Sequence, residues 1–280
     1  MSGILGHLKR LRARFREKRH YAQWAPKSKP HSTPRDLSDL ITAVIFHCGE
    51  STYDACLKSL QEQTRTVRIA TVRDAHPMTA AFDAGFDLCQ TKWIALVDAD
   101  MILYPRCIET LAGYTAADVG TIAGMLHDRV YGVIGNIKLM DAQTIKNQRF
   151  QHPPDDPYPE RKAIYLLEGL GRKMLILHDK VLGEHNPYNT AYEAFRRFYG
   201  TYRKRGATAR QAQEDFAAIC RHARNESNAE SAYYMMAGLV CAALADPSAA
   251  RDYVADEEMK RMFQSVAQKW PPPKGGKRSF

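Results

Sequence analysis

A run of apolar residues that ends in two carboxylates is the feature that most restricts how this chain can fold. Trp93 to Val97 are apolar without interruption, a run too short for a typical helix but suited to a strand buried on both faces. Asp98 and Asp100 follow directly. In open α/β sheets, ligands bind beyond the carboxyl ends of the strands. Carboxylates at that edge can hold a hard divalent cation, which in turn can hold a diphosphate.

The sequence around this run predicts an α/β domain. Residues 40–47 and 66–72 have the composition of strands, and helical patterns begin near Ser51 and Pro77. Strand, helix, strand, helix, strand with short connections implies a parallel sheet with right-handed crossovers. Further strand patterns follow at residues 119–125, 130–134, 136–140 and 173–177. From Tyr192 onward the apolar spacing becomes helical and predicts four helices.

These patterns divide the chain into four parts. We expect a basic segment and linker over residues 1–36, an α/β domain over 37–190, a helical region over 191–270 and a tail over 271–280. No apolar run approaches the roughly 18 residues needed to span a bilayer. The six cysteines are scattered without a Cys-x-x-Cys pair, which favours reduced thiols and a cytoplasmic protein.

Most of the excess charge lies at the N-terminus. Residues 1–30 carry nine basic residues and one acid, a net charge of +8 out of +9 for the chain. The rest of the protein is therefore near neutrality, and no nucleic-acid-binding surface is expected. Apolar residues recur in this segment at helical spacing, namely Ile4, Leu8, Leu11 and Phe15. A basic amphipathic helix of this kind predicts peripheral attachment to an anionic membrane, although a disordered arm or a packed helix has the same pattern.

Residues 41–104 resemble the nucleotide-binding half of a family 2-type glycosyltransferase with the GT-A fold. The resemblance is carried by the strand at 41–47, the small-residue segment at 76–85 and the segment at 91–103 that contains Asp-Ala-Asp. It implies a Rossmann-like, mostly parallel sheet flanked by helices, with the C-terminal helical region following it. The order and spacing of these three segments make the likeness more specific than Asp-x-Asp alone.

The resemblance also implies roles for matching positions. Asp100 would coordinate Mn²⁺ or Mg²⁺, and Asp98 would contact the ribose or the metal. Asp74, which ends the second strand, would contact the nucleotide base, although a helix-capping role is equally open. The remaining contacts to the nucleotide would come from Phe46, Cys48 and Glu50. The donor would be a nucleotide-diphosphate sugar, with UDP favoured over GDP.

Two histidines are candidates for a further metal ligand. His185 lies in a turn where the predicted sheet gives way to helices, and His178 ends a strand pattern. Many GT-A enzymes place a histidine ligand on such a segment. A lone histidine is more often structural than a ligand, so both readings stay open.

The catalytic base departs from the family pattern. The usual Glu-Asp pair before an Arg-Trp-type segment is not present in this sequence. Glu168 is the nearest candidate, since a base needs only reach and a suitable pKa. An ordinary surface or capping carboxylate is the alternative for this residue. Other carboxylates stay open as candidates, namely Asp155, Asp156, Asp179 and Glu184.

Taken together, these features predict a metal-dependent glycosyltransferase that acts on a glycan or a lipid-linked acceptor. Attack by an acceptor hydroxyl opposite the departing nucleotide would invert the anomeric centre if one base acts. Two other functions remain open. A nucleotidyltransferase also places carboxylates at a sheet edge, and a non-catalytic scaffold could hold a nucleotide while its helical region binds a partner.

Overall fold

The structure is a computed structural model that describes residue 26 and residues 29–148, 159–187, 190–204, 209–226, 229–245 and 256–272. The amphipathic pattern at the N-terminus lies outside these residues, as do Asp155, Asp156 and most of the predicted tail. Among the described helices, none is both long and apolar enough to cross a membrane.

The fold is built on one seven-stranded sheet. Its strands are β1 (Ile41–His47), β2 (Arg68–Arg73), β3 (Trp93–Asp98), β4 (Met101–Leu103), β5 (Val119–Asp128), β6 (Gly132–Asp141) and β7 (Lys173–His185). They lie in the order β2-β1-β3-β6-β5-β7-β4. The first three in this order are parallel, as predicted, and β7 is parallel to β5. β6 and β4 run antiparallel to their neighbours, so the sheet is mixed.

Helices cover both faces of this sheet. In the described residues the helices are α1 (Tyr53–Gln61), α2 (Met78–Leu88), α3 (Cys107–Ala112), α4 (Ala142–Asn147), α5 (Pro159–Gly169), α6 (Ala191–Lys204), α7 (Ala209–Glu226), α8 (Ala229–Leu244) and α9 (Asp256–Lys269). α1 and α3 pack on one face, and α2, α4 and α5 pack on the other. This arrangement confirms the predicted α/β architecture with helices on both sides.

The prediction that β3 is buried on both faces is confirmed. Every residue from Trp93 to Val97 is buried. Trp93 and Val97 belong to the core beneath α1 and α3, whereas Ile94 and Leu96 belong to the core beneath α2 and α5. Burial of each large apolar side chain contributes about 1.5–3 kcal/mol. These contacts fix β3 in the sheet and therefore fix the position of the carboxylates that follow it.

The predicted strand at residues 130–134 is wrong in its boundaries. β5 continues to Asp128, and its last residue pairs with Gly132 across a tight hairpin. The backbone N–H groups of Val130 and Tyr131 donate to Asp128 Oδ1, at 2.8 and 2.9 Å, and so close the turn. Gly132 has a φ of +80°, a conformation that glycine adopts without steric cost. Because apolar residues occupy the turn, their pattern alone resembled a strand.

The four helices predicted after residue 191 are present as α6 to α9. Their own core contains Phe195, Phe198, Ile219, Met235 and Val266. Val130 and Tyr131 of the β5–β6 hairpin pack against this core, so the helices lie at the end of the sheet where β5 finishes. The Tyr131 hydroxyl also donates to Asp215 Oδ1 at 2.7 Å. The helical region is therefore attached at the edge that carries Asp98 and Asp100.

Candidate active site

Hydrogen bonds to its backbone hold the short turn between β3 and β4 from several sides. The Ala99 N–H donates to the Phe46 carbonyl at 3.0 Å, and its carbonyl accepts from Thr52 Oγ1 at 2.8 Å. The Asp100 carbonyl accepts from the Asn186 N–H at 2.8 Å. The turn is thus tied to β1, to the start of α1 and to the end of β7. These hydrogen bonds fix the backbone from which the two carboxylates project.

Strand pairing brings His185 to the same point. β4 and β7 are antiparallel, and Met101 is paired with His185. One ligand atom from each of Asp98, Asp100 and His185 lies within 4.8 Å of the other two. The structure therefore brings together three of the residues that the sequence singled out as candidate metal ligands. Two carboxylates and an imidazole form a donor set that can hold a divalent cation.

One oxygen of this cluster lacks a partner. Asp100 Oδ1 is shielded from solvent and has no hydrogen-bond donor in the described part of the protein. His185 Nε2 lies 3.6 Å from it, which is too long for a hydrogen bond. A buried carboxylate oxygen without a donor is unfavourable unless a cation occupies the space beside it. The residues present therefore fit a bound metal ion.

The electrostatic environment of His185 involves two residues that the sequence did not indicate. His185 Nδ1 lies 2.7 Å from Oδ2 of Asp128, and Arg197 Nη2 lies 2.5 Å from the same oxygen. Burial alone would lower the pKa of His185, but the charge of Asp100 and the hydrogen bond to Asp128 together raise it above its usual value. Carboxylates thus face both ring nitrogens of His185, Asp128 at Nδ1 and Asp100 at Nε2.

Asn186 contacts both Asp100 and His185, and the sequence did not single it out. Its φ of +52° is a left-handed conformation that asparagine tolerates better than most residues. With its amide nitrogen 3.1 Å from Asp100 Oδ2, its amide oxygen accepts from His185 Nδ1 at 2.9 Å and from Arg197 Nη1 at 3.3 Å. This orientation satisfies both the donor and the acceptor of the amide. An asparagine directly after a candidate ligand was the only sequence signal for it.

The residues predicted to bind the nucleotide lie along the same edge. Glu50 accepts from the Cys48 N–H at 2.6 Å and from Arg196 of α6 at 2.8 Å. Burial, followed by the charge of Glu50, raises the pKa of the Cys48 thiol to about 11. Asp74 is exposed at the end of β2, and its N–H donates to the His47 carbonyl at 2.9 Å. The Phe46 ring is stacked on Phe82 of α2, with centroids 4.9 Å apart.

His178 is not brought to the cluster. In β7 the register with β5 shifts between Leu177, paired with Gly124, and Val181, paired with Met125. His178 and Asp179 lie in this irregular stretch and are exposed. Glu184 is next to His185 along the strand, but successive strand residues point to opposite faces. His178 and Asp179 are thus separated from the cluster, since they lie seven and six residues before His185 along β7, and the alternation of side chains directs Glu184 to the other face.

Glu168, the candidate catalytic base, lies at the edge of the sheet opposite to Asp98 and Asp100. It is near the end of α5, and its carbonyl accepts from Gly171 N at 2.9 Å just before β7 begins. The first residue of β7 pairs with Val119, whereas the last pairs with Asp128. The nine strand steps between these two β5 residues correspond to roughly 25–30 Å. Glu168 is therefore not placed to act as a base on a sugar held by Asp98 and Asp100.

Comparisons with known proteins give one family match and likenesses of fold. Residues 50–164 match the family model described as glycosyl transferase family 2. No curated protein matches the chain in sequence at a significant level. Among solved structures, the chain is similar to the mannosyltransferase PcManGT from Pyrobaculum calidifontis, in complex with GDP-Man and Mn²⁺. The two share a TM-score of 0.53 and 12% sequence identity, and the match covers 93% of this chain and 88% of the PcManGT chain.

A weaker likeness is to residues 1–349 of TarS from S. aureus, with a TM-score of 0.42 and 10% identity, over 82% of this chain and 85% of that one. At these low identities the likeness concerns the fold alone. The family match covers the turn with Asp98 and Asp100 and the helices that hold it. Residues 50–164 are therefore similar to the glycosyl transferase family 2, and the fold of the chain is of the GT-A type.

Proposed function

We propose that the protein is a metal-dependent glycosyltransferase that moves a sugar from a nucleotide-diphosphate sugar to a glycan or lipid-linked acceptor. The observation that carries this proposal is the shielded, unpartnered Oδ1 of Asp100 beside Asp98 and His185. The PcManGT structure contains GDP-Man and Mn²⁺, which supports a donor and a cation of the same chemical kinds here. The donor set of two carboxylates and one imidazole suits Mn²⁺ or Mg²⁺, as expected from the sequence.

In this proposal the residues of the site have separate roles in binding the cation and the nucleoside. Asp100 and His185 would hold the cation, and Asp98 would contact it or the ribose. The cation would supply positive charge that offsets the charge developing on the diphosphate leaving group. Glu50 and Asp74, together with the backbone near Cys48, would bind the nucleoside along the same edge. An acceptor hydroxyl would attack the anomeric carbon from the side away from the diphosphate, which inverts the anomeric centre.

The reaction products test the proposal against its alternatives. Full-length protein is incubated with Mn²⁺ and with UDP- or GDP-sugars, each with and without acceptors. We expect release of a nucleoside diphosphate, faster with UDP-sugars, the donor class that the family resemblance implies. Release of pyrophosphate would instead identify a nucleotidyltransferase. Nucleotide binding without turnover of any donor across acceptor classes would favour the scaffold.

The two histidines of β7 provide a matched pair of variants. His185→Ala is expected to weaken Mn²⁺ binding about 10-fold or more, because an imidazole ligand is lost while both carboxylates remain. Transfer should fall at low Mn²⁺ and recover partly at high Mn²⁺. His178→Ala is expected to change neither quantity, because His178 lies in the exposed irregular stretch of β7. Transfer measured over a Mn²⁺ titration checks both, and equal titration curves for the two variants would contradict the ligand role.

We also propose that the N-terminal segment attaches the protein to the inner face of an anionic membrane. Deleting residues 1–28 should abolish binding to anionic vesicles, since each Lys or Arg near the surface contributes about 1 kcal/mol and salt screens the attraction over about 8 Å. The deletion ends before His31, whose N–H donates to the Gly113 carbonyl at 2.8 Å. Vesicle sedimentation measures the loss, with neutral lipid as the control.

Transfer to a soluble acceptor should be unchanged by this deletion, because the segment lies outside the part that matches the family model. Equal sedimentation of the full-length and shortened proteins with anionic vesicles would contradict the membrane role.

A further inference from the structure

Asp128 is a fully buried carboxylate whose two oxygens are both satisfied. Its Oδ1 accepts from the N–H groups of Val130 and Tyr131. Its Oδ2 accepts from His185 Nδ1 at 2.7 Å and from Arg197 Nη2 at 2.5 Å. Two backbone N–H groups and a guanidinium, none of which can accept a hydrogen bond, thus surround the carboxylate, an arrangement that suits an ionised acid.

This ionised carboxylate determines which nitrogen of His185 carries a proton. A carboxylate without a proton can only accept hydrogen bonds, so Nδ1 of His185 must donate. In the neutral imidazole the other nitrogen, Nε2, then has a free lone pair. Nε2 lies 3.6 Å from Asp100 Oδ1 and faces the same point. A carboxylate that orients a histidine in this way also makes the ring a better metal ligand.

Arg197 holds Asp128 from the C-terminal helices. It belongs to α6, and its guanidinium lies 5.3 Å from the ring centroid of Tyr131 and 5.9 Å from that of Phe198. These aromatic faces restrict where the guanidinium can lie. Its second nitrogen donates to the Asn186 amide oxygen at 3.3 Å, and this amide in turn donates to Asp100 Oδ2. Arg197 thus reaches Asp100 through Asn186 and His185 through Asp128.

We propose that Asp128 and Arg197 are positioning residues that fix His185 in the tautomer and orientation of a metal ligand. Through Arg197, the C-terminal helical region becomes part of the metal site and not only an attached unit. The inference rests on the metal dependence in the proposed function. If the Arg197–Asp128 pair only fastened α6 to the hairpin, its loss would lower stability without changing metal affinity or the tautomer of His185.

The first test is the Mn²⁺ affinity of the nucleotide-free, full-length protein, measured from the electron paramagnetic resonance signal of free Mn²⁺. Asp128→Asn keeps the size of the side chain but allows an amide nitrogen to face His185. We expect it to weaken Mn²⁺ binding by about 10- to 100-fold, the usual effect of losing a partner of a metal ligand. The matched control is Glu109→Gln, because Glu109 also pairs with an arginine, Arg65, at 2.5 Å but lies outside the cluster.

The second test needs no folded variant at Asp128. Nitrogen-15 NMR of the unaltered, metal-free protein reads the tautomer of each histidine at a pH above its pKa, and the His185→Ala spectrum assigns the signal of His185. We expect the proton on Nδ1. A proton on Nε2 would overturn the proposal, and so would an unchanged Mn²⁺ affinity in a folded Asp128→Asn protein.

These outcomes are separate from failure of the proposed reaction. If no nucleotide sugar is turned over but Mn²⁺ binding depends on Asp100 and Asp128, the positioning role stands and the reaction does not. If the unaltered protein shows no Mn²⁺ binding that depends on Asp100, the positioning role is overturned whatever the transfer activity.

Discussion

Replacing Asp100 with alanine is expected to abolish sugar transfer and metal-dependent nucleotide binding while the protein stays folded. The variant removes the carboxylate whose Oδ1 is shielded and unpartnered, so the site loses a ligand. A cation at a leaving group contributes several kcal/mol to transition-state stabilisation. Each 1.36 kcal/mol changes the rate tenfold, so transfer should fall by about 10³-fold or more. The rate of nucleoside diphosphate release at saturating Mn²⁺ measures the loss.

Asp118→Ala is the matched control for this variant. Asp118 is ion-paired with Lys173, and both side chains are more than half exposed. Lys173 begins β7, so the pair lies at the edge of the sheet opposite to Asp100. Exposed pairs of this kind contribute about 0–1 kcal/mol, and transfer should be unchanged. Full Mn²⁺-dependent activity in Asp100→Ala would show that the Asp98–Asp100 turn is not the catalytic site.

Replacing Gly238 with alanine is expected to destabilise the C-terminal helices by about 2–3 kcal/mol, as overpacking of a buried contact does. Gly238 is in α8 where this helix crosses α6. A Cβ at this position would overlap the carbonyl oxygen of Phe195 and lie 3.0 Å from its carbonyl carbon. Because these are backbone atoms, the methyl group can be accommodated only if the helices move apart. Calorimetric or denaturant unfolding measures the change.

Gly200→Ala, on the other helix of this pair, is expected to have the opposite effect on stability. Gly200 is in α6, and a Cβ there would meet no atom within 4 Å. Alanine in an open helical position is expected to stabilise the protein by about 0.5–1 kcal/mol, since glycine loses more backbone entropy on folding. A loss of stability in both variants, or in neither, would contradict the close approach of α6 and α8.

The Gly238→Ala variant also tests whether α6 matters to the site. Arg196 and Arg197 of this helix pair with Glu50 and Asp128, so a displaced α6 should weaken Mn²⁺ binding as well as stability. Unchanged Mn²⁺ affinity in a destabilised protein would show that the packing of α6 affects stability but not the metal site.

Several parts of the fold could be predicted because they are encoded locally. The apolar run at Trp93 to Val97 can be satisfied only in a strand covered on both faces, and β3 is such a strand. The helical spacing after residue 191 likewise predicted α6 to α9 correctly. Asp98 and Asp100 could be assigned to a strand end because they directly follow the apolar run. In each case the signal lies within a few residues of the structure that it specifies.

Other features were decided only by tertiary structure, since they depend on residues far apart in the chain. Asp128 is 57 residues from His185 and 69 from Arg197, and no local periodicity relates them. Glu168 was a reasonable base by composition, but the parallel pairing of β7 with β5 places it at the wrong edge of the sheet. The sequence by itself determined which segments form strands and helices and where carboxylates end a buried strand. Strand order and register then decided which side chains meet, because pairing positions residues through hydrogen bonds that sequence spacing does not reveal.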